Sequence, residues 1–275
     1  MDELYVLARR VLLDALEALG PHRKAIVLVG AQAIYLRVGE ADLAVAPYTT
    51  DGDLAIDPSL LGASPPLERV LTAAGFESKS AESVGIWITR RRTNGHVDVE
   101  VQIDLLAPAA VSPGSGRRAA RLPGHEPLAV RKVNGIEGAL VDADILYLAA
   151  LEPGDRRSLS VRVAGAAALL VAKVHKIGDR TGEDRQSDKD ALDVLRLLRG
   201  TSTVELVDRY RRLLADPRSE GAARKGRSLL EKQFSRMSGI GVQMAIRSAS
   251  PLVDADEIAA SCEALTLDLL GSIEG

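Results

Sequence analysis

Hydrophobic positions divide the chain into a first part with mixed periodicity and a second part with helical periodicity alone. Apolar residues three or four apart between Leu4 and Leu19 predict a first helix, which Asp2 can cap. Segments that read as strands follow it: Ala25–Val29, Asp53–Ile56, Ile86–Arg91, His96–Leu106 and Leu159–Val163. From Ala164 onward only helical spacing remains. The pattern predicts an α/β domain over residues 1–163 and a helical domain over residues 164–275.

A glycine follows the first predicted strand directly. Gly30 stands between Ala25–Val29 and a predicted helix over residues 31–37. A turn of this kind presents backbone N–H groups and a positive helix end, which suit a phosphate group. For one glycine alone, an ordinary tight turn without a ligand is the better interpretation.

Two carboxylates introduce the second predicted strand. Asp51 and Asp53 are separated by Gly52, so their side chains point the same way if the segment is extended. Two like charges held close repel each other unless a cation or a proton lies between them. Mg²⁺ takes carboxylate oxygens and shares its other positions with phosphates. Taken alone, the Asp-x-Asp pattern favours a solvated turn, and Asp57, which precedes Pro58, is also predicted to be a turn residue.

The strand over His96–Leu106 alternates cleanly between apolar and polar residues. Its polar face carries Asp98, Glu100, Gln102 and Asp104. So many acids on one face are unusual, and at least one of them could face the pair formed by Asp51 and Asp53. Asn-Gly pairs predict a hairpin before this strand, at residues 94–95, and another at residues 134–135.

A cationic helix is the second informative stretch. Lys173, Lys176 and Arg180 share one helical face. Ser187 is predicted to cap the next helix, which carries Lys189, Asp190 and Asp193. Most such runs are solvated faces with ion pairs. Lys173, however, lies in a very apolar helix and needs a partner there, either a phosphate or a carboxylate.

Composition narrows the class of protein. The 275 residues are 46% hydrophobic and 3% aromatic, with a net charge of -3 and one cysteine, Cys262. Any nucleic-acid contact must therefore be local, and the segment with Arg117, Arg118 and Arg121 is predicted to be a surface loop or a contact to a phosphate backbone. The four histidines lack metal-ligand spacing, which argues against a zinc enzyme. With no apolar run of membrane-spanning length and an acidic start, we expect a soluble, cytoplasmic protein without membrane contact.

The ordered set of motifs resembles a known family. A strand, Gly30 and a helix, then Asp51-x-Asp53, then a carboxylate on a later strand match the DNA-polymerase-β-like nucleotidyltransferases. The helical part, with Lys173, Arg180 and the 189–193 segment, is similar to the AbiEii/MenT branch of toxin–antitoxin and phage-defence systems. The similarity spans about residues 25–200. It implies an α+β fold with a nucleotidyltransferase-like mixed β-sheet, flanking helices and a C-terminal helical bundle that completes the nucleotide pocket.

The resemblance also implies residue roles. Asp51, Asp53 and Asp104 would be the catalytic residues and would hold Mg²⁺ or Mn²⁺, with Asp98 as the second choice for the third carboxylate. The nucleoside triphosphate (NTP) would be bound by Gly30, Ala31, Lys173, Arg180, Lys189, Asp190 and Asp193.

The implied reaction is transfer of a nucleotide from the NTP to an acceptor hydroxyl, with release of pyrophosphate. The expected acceptor is an RNA or a protein, the resemblance makes tRNA a reasonable acceptor, and a cognate antitoxin is a possible partner. One alternative is transfer to a small molecule, as in aminoglycoside-modifying relatives. Another is a non-catalytic binding or regulatory protein, since Ala31 and Pro47 depart from the residues that the family often has there.

Overall fold

The computed structural model describes residues 2–274 except 40, 42, 44, 47, 81, 113–117 and 180–187. Arg117, Arg180, Ser187 and Pro47 therefore lie outside the described residues. The chain forms two units. The first comprises Met1–Gln32, Tyr48–Val133 and Asp144–Val163, and the second comprises Ala33–Pro47, Asn134–Ala143 and Ala164–Gly275.

A mixed sheet forms the centre of the first unit. Its strands are β1 (Ile26–Val29), β2 (Asp51–Ile56), β3 (Glu77–Ser78), β4 (Ile86–Arg92), β5 (Asp98–Pro108), β6 (Arg131–Val133), β7 (Ala143–Ala149) and β8 (Ser158–Ala164). Their order in the sheet is β3-β4-β5-β2-β1-β8-β7, and β6 pairs with β5. β1 runs antiparallel to β2 and parallel to β8, whereas β2 runs parallel to β5. These pairings bring β2 to the middle of the sheet.

The helices are α1 (Glu3–Ala18), α2 (Gly30–Val38), α3 (Leu67–Ala73), α4 (Ala166–Asp179), α5 (Asp188–Gly200), α6 (Thr203–Ala215), α7 (Glu220–Phe234), α8 (Ile240–Ala249) and α9 (Ala255–Glu274). Short 3₁₀ helices cover Gly20–Ala25, Ala109–Val111 and Glu137–Leu140. The predicted architecture, a mixed sheet with flanking helices followed by helices alone, is confirmed.

α1 covers one face of the sheet. Asp2 caps it, because its carboxylate accepts the backbone N–H groups of Leu4 and Tyr5 at 2.8 and 3.3 Å. Leu12 on the helix lies so close to β2 that a Cβ atom at Gly52 would be 3.1 Å from a Leu12 methyl group. The even-numbered residues of β2 therefore face α1, and the odd-numbered residues, including Asp51 and Asp53, face the other way.

The two Asn-Gly pairs behave differently. Asn94-Gly95 joins β4 to β5, which are antiparallel with Arg92 opposite Asp98, so that hairpin is confirmed. The hairpin predicted at Asn134-Gly135 is wrong, because β6 is followed by the 3₁₀ helix Glu137–Leu140. Gly135 has a φ of +86°, and a Cβ atom there would lie 2.5 Å from the Cβ of His175. The glycine thus allows close packing on α4.

α4 is the central helix of the second unit, where it packs against α5, α6 and α7. Its ten buried residues include Lys173 and His175. The carboxylate of Asp142 accepts the N–H of Ala168 in the first turn at 3.3 Å and pairs with Arg209 at 2.6 Å. This buried carboxylate therefore satisfies a donor at the start of α4.

A pair of histidines fixes the segment before α3 in the first unit. The His125 ring accepts the N–H of Leu67 through Nδ1 at 3.1 Å and donates through Nε2 to the Gly62 carbonyl at 3.0 Å. His22, whose ring lies 5.6 Å from that of His125, bonds to the Pro65 carbonyl at 2.7 Å. Burial lowers the pKa of His125 below its ordinary value. The neutral ring is the form that supports these bonds.

Stability should therefore depend on His125 at mildly acid pH. Because the folded pKa lies below that of the unfolded chain, the contribution of the neutral ring is complete above about pH 6.5 and is lost as the pH falls below it. We expect His125→Asn, which keeps an acceptor near Nδ1, to lose less stability than the wild type between about pH 7 and about pH 5. Urea unfolding at each pH measures this. His96→Asn, at an exposed position, should keep the wild-type slope; equal slopes for all three proteins would contradict the assignment.

Candidate active site

The turn between β1 and α2 holds a carboxylate against its backbone. Gly30 has a φ of +71°, and a Cβ atom there would lie 1.9 Å from Oδ2 of Asp53. Val29, the residue before it, pairs with Asp53 across the antiparallel strands β1 and β2. Any side chain at position 30 would displace the carboxylate, so the glycine is required both by its backbone conformation and by the approach of Asp53.

The register of β2 and β5 brings further carboxylates to the same region. Asp53 lies directly opposite Asp104 on the neighbouring parallel strand, and Asp51 lies opposite Gln102. Asp98, the second choice from the sequence, is six residues before Asp104, pairs with Arg92 in the hairpin and is exposed. Asp51, Asp53 and Asp104 thus share one face of two adjacent strands.

Asp104 is the most deeply buried of the three carboxylates, at 6% exposure. Its Oδ2 accepts from Arg131 at 2.6 Å and its Oδ1 accepts from Gln102 at 2.6 Å. The Arg131 side chain is 34% exposed, and its guanidinium group neutralises the charge of this carboxylate. Asp51 is less buried and accepts from the hydroxyl of Thr49.

A polar chain supports the start of β2 from α1 and α2. Gln32, which is 1% exposed, donates to the backbone carbonyl of Asp51 at 3.0 Å. Its own carbonyl accepts from Nε of Arg9 at 2.7 Å, and the same guanidinium donates to the Ala149 carbonyl at 2.9 Å. The backbone carbonyl of Asp51 is therefore bonded to a buried glutamine whose side chain is itself positioned by Arg9.

The donor set fits a hard divalent cation in type and in strand register. Mg²⁺ and Mn²⁺ take carboxylate oxygens, and the missing Cβ of Gly30 leaves room for the Asp53 carboxylate at the helix start. Across the described part of the chain, no three His, Cys, Asp or Glu side chains already converge as a metal-binding group. A cation shared by all three carboxylates therefore requires Asp104 to share or exchange its bond to Arg131.

The second unit contains a buried ion network around Lys173. The ammonium group donates to Asp190 at 2.6 Å and to Asp193 at 2.7 Å, and all three side chains are less than a tenth exposed. Lys176 adds a contact to Asp190 at 3.2 Å. Burial alone would lower the pKa of Lys173, but Asp190 and Asp193 outweigh it, so the pKa lies well above its ordinary value. The partner that the apolar helix required is therefore a pair of carboxylates.

The remaining residues predicted from the sequence lie at several places. Ala31 is in the first turn of α2 and is partly exposed, and Lys189 is exposed in the first turn of α5. Arg180 lies outside the described residues. The roles in NTP binding that the resemblance implies for these residues, and for Lys173, Asp190 and Asp193, stay predictions.

Sequence reasoning missed three polar residues, of which Gln32 and Arg196 are buried and Arg131 is partly exposed. Arg131 pairs with Asp104, Gln32 supports Asp51, and Arg196, at 1% exposure, donates to the Val45 carbonyl at 2.6 Å. Arg196 also lies over the ring of Tyr35, 5.4 Å from its centroid. A signal was present for Arg196, since an arginine among the leucines of α5 needs a buried partner. For Arg131 and Gln32 the sequence carried none.

Two further observations concern the single cysteine and the apolar character of the helices. Cys262 is buried, and burial raises the pKa of its thiol to about 12, so the thiolate needed for a nucleophile is not formed at neutral pH. Among the described residues, no helix is both long enough and apolar enough to cross a membrane.

Comparison with known proteins gives little beyond a distant structural likeness. No family model and no curated protein matches the chain. A solved structure that is similar to it is the crystal structure of an antigenic nucleotidyltransferase-like protein from Paracoccidioides brasiliensis. That likeness has 17% sequence identity and a TM-score of 0.40, and it covers 82% of this chain and 93% of that chain.

Gly30→Ala tests the contact with Asp53. The left-handed backbone at this position costs a non-glycine residue about 1–2 kcal/mol, and the clash with the carboxylate adds to this. We expect urea unfolding to show a loss of at least about 1 kcal/mol. Gly20→Ala is the matched control, because a Cβ atom at Gly20 meets nothing within 4 Å. If both variants have the same stability, the contact does not constrain the turn.

Lys173→Met tests the buried network. Removing the ammonium leaves two buried carboxylates without their main partner, so we expect a loss of about 3–5 kcal/mol in the free energy of unfolding. Lys176→Met, at a lysine that is 47% exposed, should cost less than about 1 kcal/mol. Chemical denaturation of both variants measures the difference. Equal losses would show that Lys173 is no more important than a surface ion pair.

Proposed function

We propose that this protein is a metal-dependent nucleotidyltransferase that moves a nucleotide from an NTP to an acceptor hydroxyl. The observation that carries the proposal is the placement of Asp53. It lies against Gly30 at a strand-to-helix turn and opposite Asp104 in the register of β2 and β5. The glycine turn is suited to a phosphate, and the carboxylates are suited to a divalent cation. The motif resemblance described above supports the same reaction.

The three carboxylates and the glycine turn have different roles in this reaction. Asp51, Asp53 and Asp104 would hold Mg²⁺ or Mn²⁺, which when bound stabilises negative charge on the attacking and leaving oxygens. Gly30 and Ala31 leave N–H groups at the start of α2 that can donate to phosphate oxygens. The chemistry depends on positioning and charge and needs no covalent nucleophile, which agrees with the buried, protonated Cys262.

The acceptor and the biological role follow from the resemblance alone. We propose an RNA acceptor, with tRNA as the first to test, and a role as a toxin restrained by a cognate antitoxin. Transfer to a small molecule is the enzymatic alternative. An RNA acceptor predicts label in RNA when total RNA is supplied, whereas a small-molecule acceptor predicts label only in an incubation to which an aminoglycoside-like acceptor has been added.

One observation favours a non-catalytic protein as a second candidate. Arg131 and Gln102 together occupy both oxygens of Asp104. A guanidinium in this position can replace a cation as the partner of a carboxylate. If Arg131 stays bound to Asp104 permanently, the fold would serve binding or regulation instead of transfer.

Incubation with each α-labelled NTP, Mg²⁺ and total RNA tests the proposal. We expect label in RNA and release of pyrophosphate. Asp53→Asn and Asp104→Asn should each lower the rate by at least about a hundredfold, since they remove charge stabilisation at the reacting phosphate. Asp98→Asn is the matched control on β5, where the side chain is exposed, and should retain the wild-type rate. Transfer that persists in Asp53→Asn would refute this assignment, and a wild type that binds NTP without transferring it would favour the non-catalytic candidate.

A further inference from the structure

Arg131 is a positive group that already lies at the three-carboxylate face. Leu106 on β5 pairs with Ala55 on β2 and with Arg131 on β6, so β2 and β6 run along opposite edges of β5. Residues paired in this way lie on one face of the sheet, as do residues two apart on a strand. Asp104 therefore stands between Arg131 on one side and Asp53 on the other.

The bond between Arg131 and Asp104 is formed by one nitrogen of the guanidinium group. Nη2 donates to Oδ2 of Asp104 at 2.6 Å, while Oδ1 accepts from Gln102 at 2.6 Å. The Nε–H of Arg131 is buried, and within the described residues it has no acceptor. In the strong form of an arginine–carboxylate pair, two parallel N–H groups donate to both oxygens. The guanidinium group is therefore held by less than its full bonding capacity.

The exposure of the two partners favours movement of the arginine. Asp104 is 6% exposed, whereas the Arg131 side chain is 34% exposed. The carboxylate needs a positive partner where it is, because an unpaired buried charge is costly. Arg131 has access to solvent, where water can satisfy it once its single bond to Asp104 is broken. Exchange therefore leaves no buried charge unpaired, provided that another cation takes the place of the guanidinium group.

Arg131 and a divalent cation compete for the same oxygen. Mg²⁺ and Mn²⁺ bind carboxylate oxygens directly, and Oδ2 of Asp104 is the oxygen that Arg131 holds. Two positive groups close together also repel each other, which opposes simultaneous binding. Two charges on an ion shared by three carboxylates interact more strongly than one charge on a guanidinium group paired with a single carboxylate. The arginine is therefore displaced when the concentration of the divalent cation is sufficient.

We infer that Arg131 is an internal competitor that raises the concentration of divalent cation needed to fill the site. The guanidinium group moves to solvent when a cation binds Asp104, and it returns to Asp104 when the cation is removed. The inference rests on the proposed function, because it takes Mg²⁺ or Mn²⁺ as the occupant of the three carboxylates. It makes Arg131 a regulatory residue of that site, so loss of its charge should strengthen cation binding.

Binding of Mn²⁺ to the full chain without NTP, measured by the EPR signal of free Mn²⁺, tests the inference. We expect Arg131→Met and Arg131→Gln each to bind Mn²⁺ at least about tenfold more tightly than the wild type, because a charged hydrogen bond no longer competes. Arg131→Lys keeps a positive charge and should gain less. Arg90→Met is the matched control, since Arg90 on β4 is 74% exposed and lies 4.0 Å from its acidic partner. It should leave the affinity for Mn²⁺ unchanged.

Thermal unfolding separates this role from a structural one. Arg131→Met leaves the buried Asp104 without its guanidinium partner, so its Tm in EDTA should fall below that of the wild type. Mn²⁺ should then raise the Tm of Arg131→Met more than that of the wild type, because tighter binding to the folded state stabilises it more. A loss of Tm that Mn²⁺ does not reverse would assign Arg131 a structural role only. Arg131→Gln retains a neutral donor for Asp104 and supplies the binding measurement if Arg131→Met does not fold.

A double variant tests whether Arg131 acts through Asp104. In the Asp104→Asn background, the gain in Mn²⁺ affinity from Arg131→Met should fall below about threefold, because the carboxylate for which the arginine and the cation compete is gone. A gain that stays at about tenfold in that background would show that Arg131 acts by general repulsion, and it would overturn the competition for Asp104.

Two further results would overturn the inference. The first is Mn²⁺ binding by Arg131→Met and Arg131→Gln that is equal to or weaker than that of the wild type. The second is no Mn²⁺ binding by any of these proteins. If the wild type transfers a nucleotide while all variants bind Mn²⁺ equally, this inference alone fails. If Arg131→Met binds Mn²⁺ more tightly but the wild type transfers no nucleotide, the proposed function alone fails.

Discussion

The first unit depends on the close approach of Asp53 to the backbone of Gly30. Three elements, β1, β2 and α2, meet at this contact, and it fixes their relative register. A slip of β2 by one residue would put Gly52 or Leu54 at the turn and would turn Asp51 and Asp53 toward α1. Because Gly52 also has to be small to pack against Leu12, both glycines constrain the same strand from opposite faces.

The charged side chains differ in burial and in partners between the two units. In the first, the carboxylates of Asp51 and Asp53 are partly exposed, whereas Asp104 is buried and pairs with the guanidinium of Arg131. In the second, Lys173 and its two aspartates are all buried, so each charge is balanced by the others. A partly exposed carboxylate pair can accept a ligand cation at smaller cost than a buried one, whereas a buried, balanced network mainly fixes a packing arrangement.

Local patterns predicted much of the fold. The alternation over His96–Leu106 and the helical spacing after Ala164 gave the strands and helices correctly, because burial of one face dictates both periods. The same dipeptide, Asn-Gly, predicted one hairpin correctly and one wrongly. Asn94-Gly95 is followed by an alternating strand, whereas after Asn134-Gly135 the glycine serves to pack against His175. The need for a glycine at position 135 is set by His175, forty positions away, so the local sequence pattern does not indicate it.

The candidate site was predictable where a local pattern or the resemblance marked its residues, as for Gly30, Asp51, Asp53 and Asp104. No pattern marked Arg131, which is 27 residues from its partner Asp104, or the chain of Arg9, Gln32 and the Asp51 carbonyl, which spans three elements. Such contacts depend on strand order, which the sequence does not state.

The triad of Lys173, Asp190 and Asp193 has a consequence for how this sequence can vary. A neutral residue at position 173 would leave two buried negative charges without a partner, and loss of the acids would leave a buried positive charge without one. Each intermediate with one change is therefore less stable than either end state. These three positions should be inherited together among related chains, kept as a set or replaced together by apolar residues, while the exposed Lys176 varies freely.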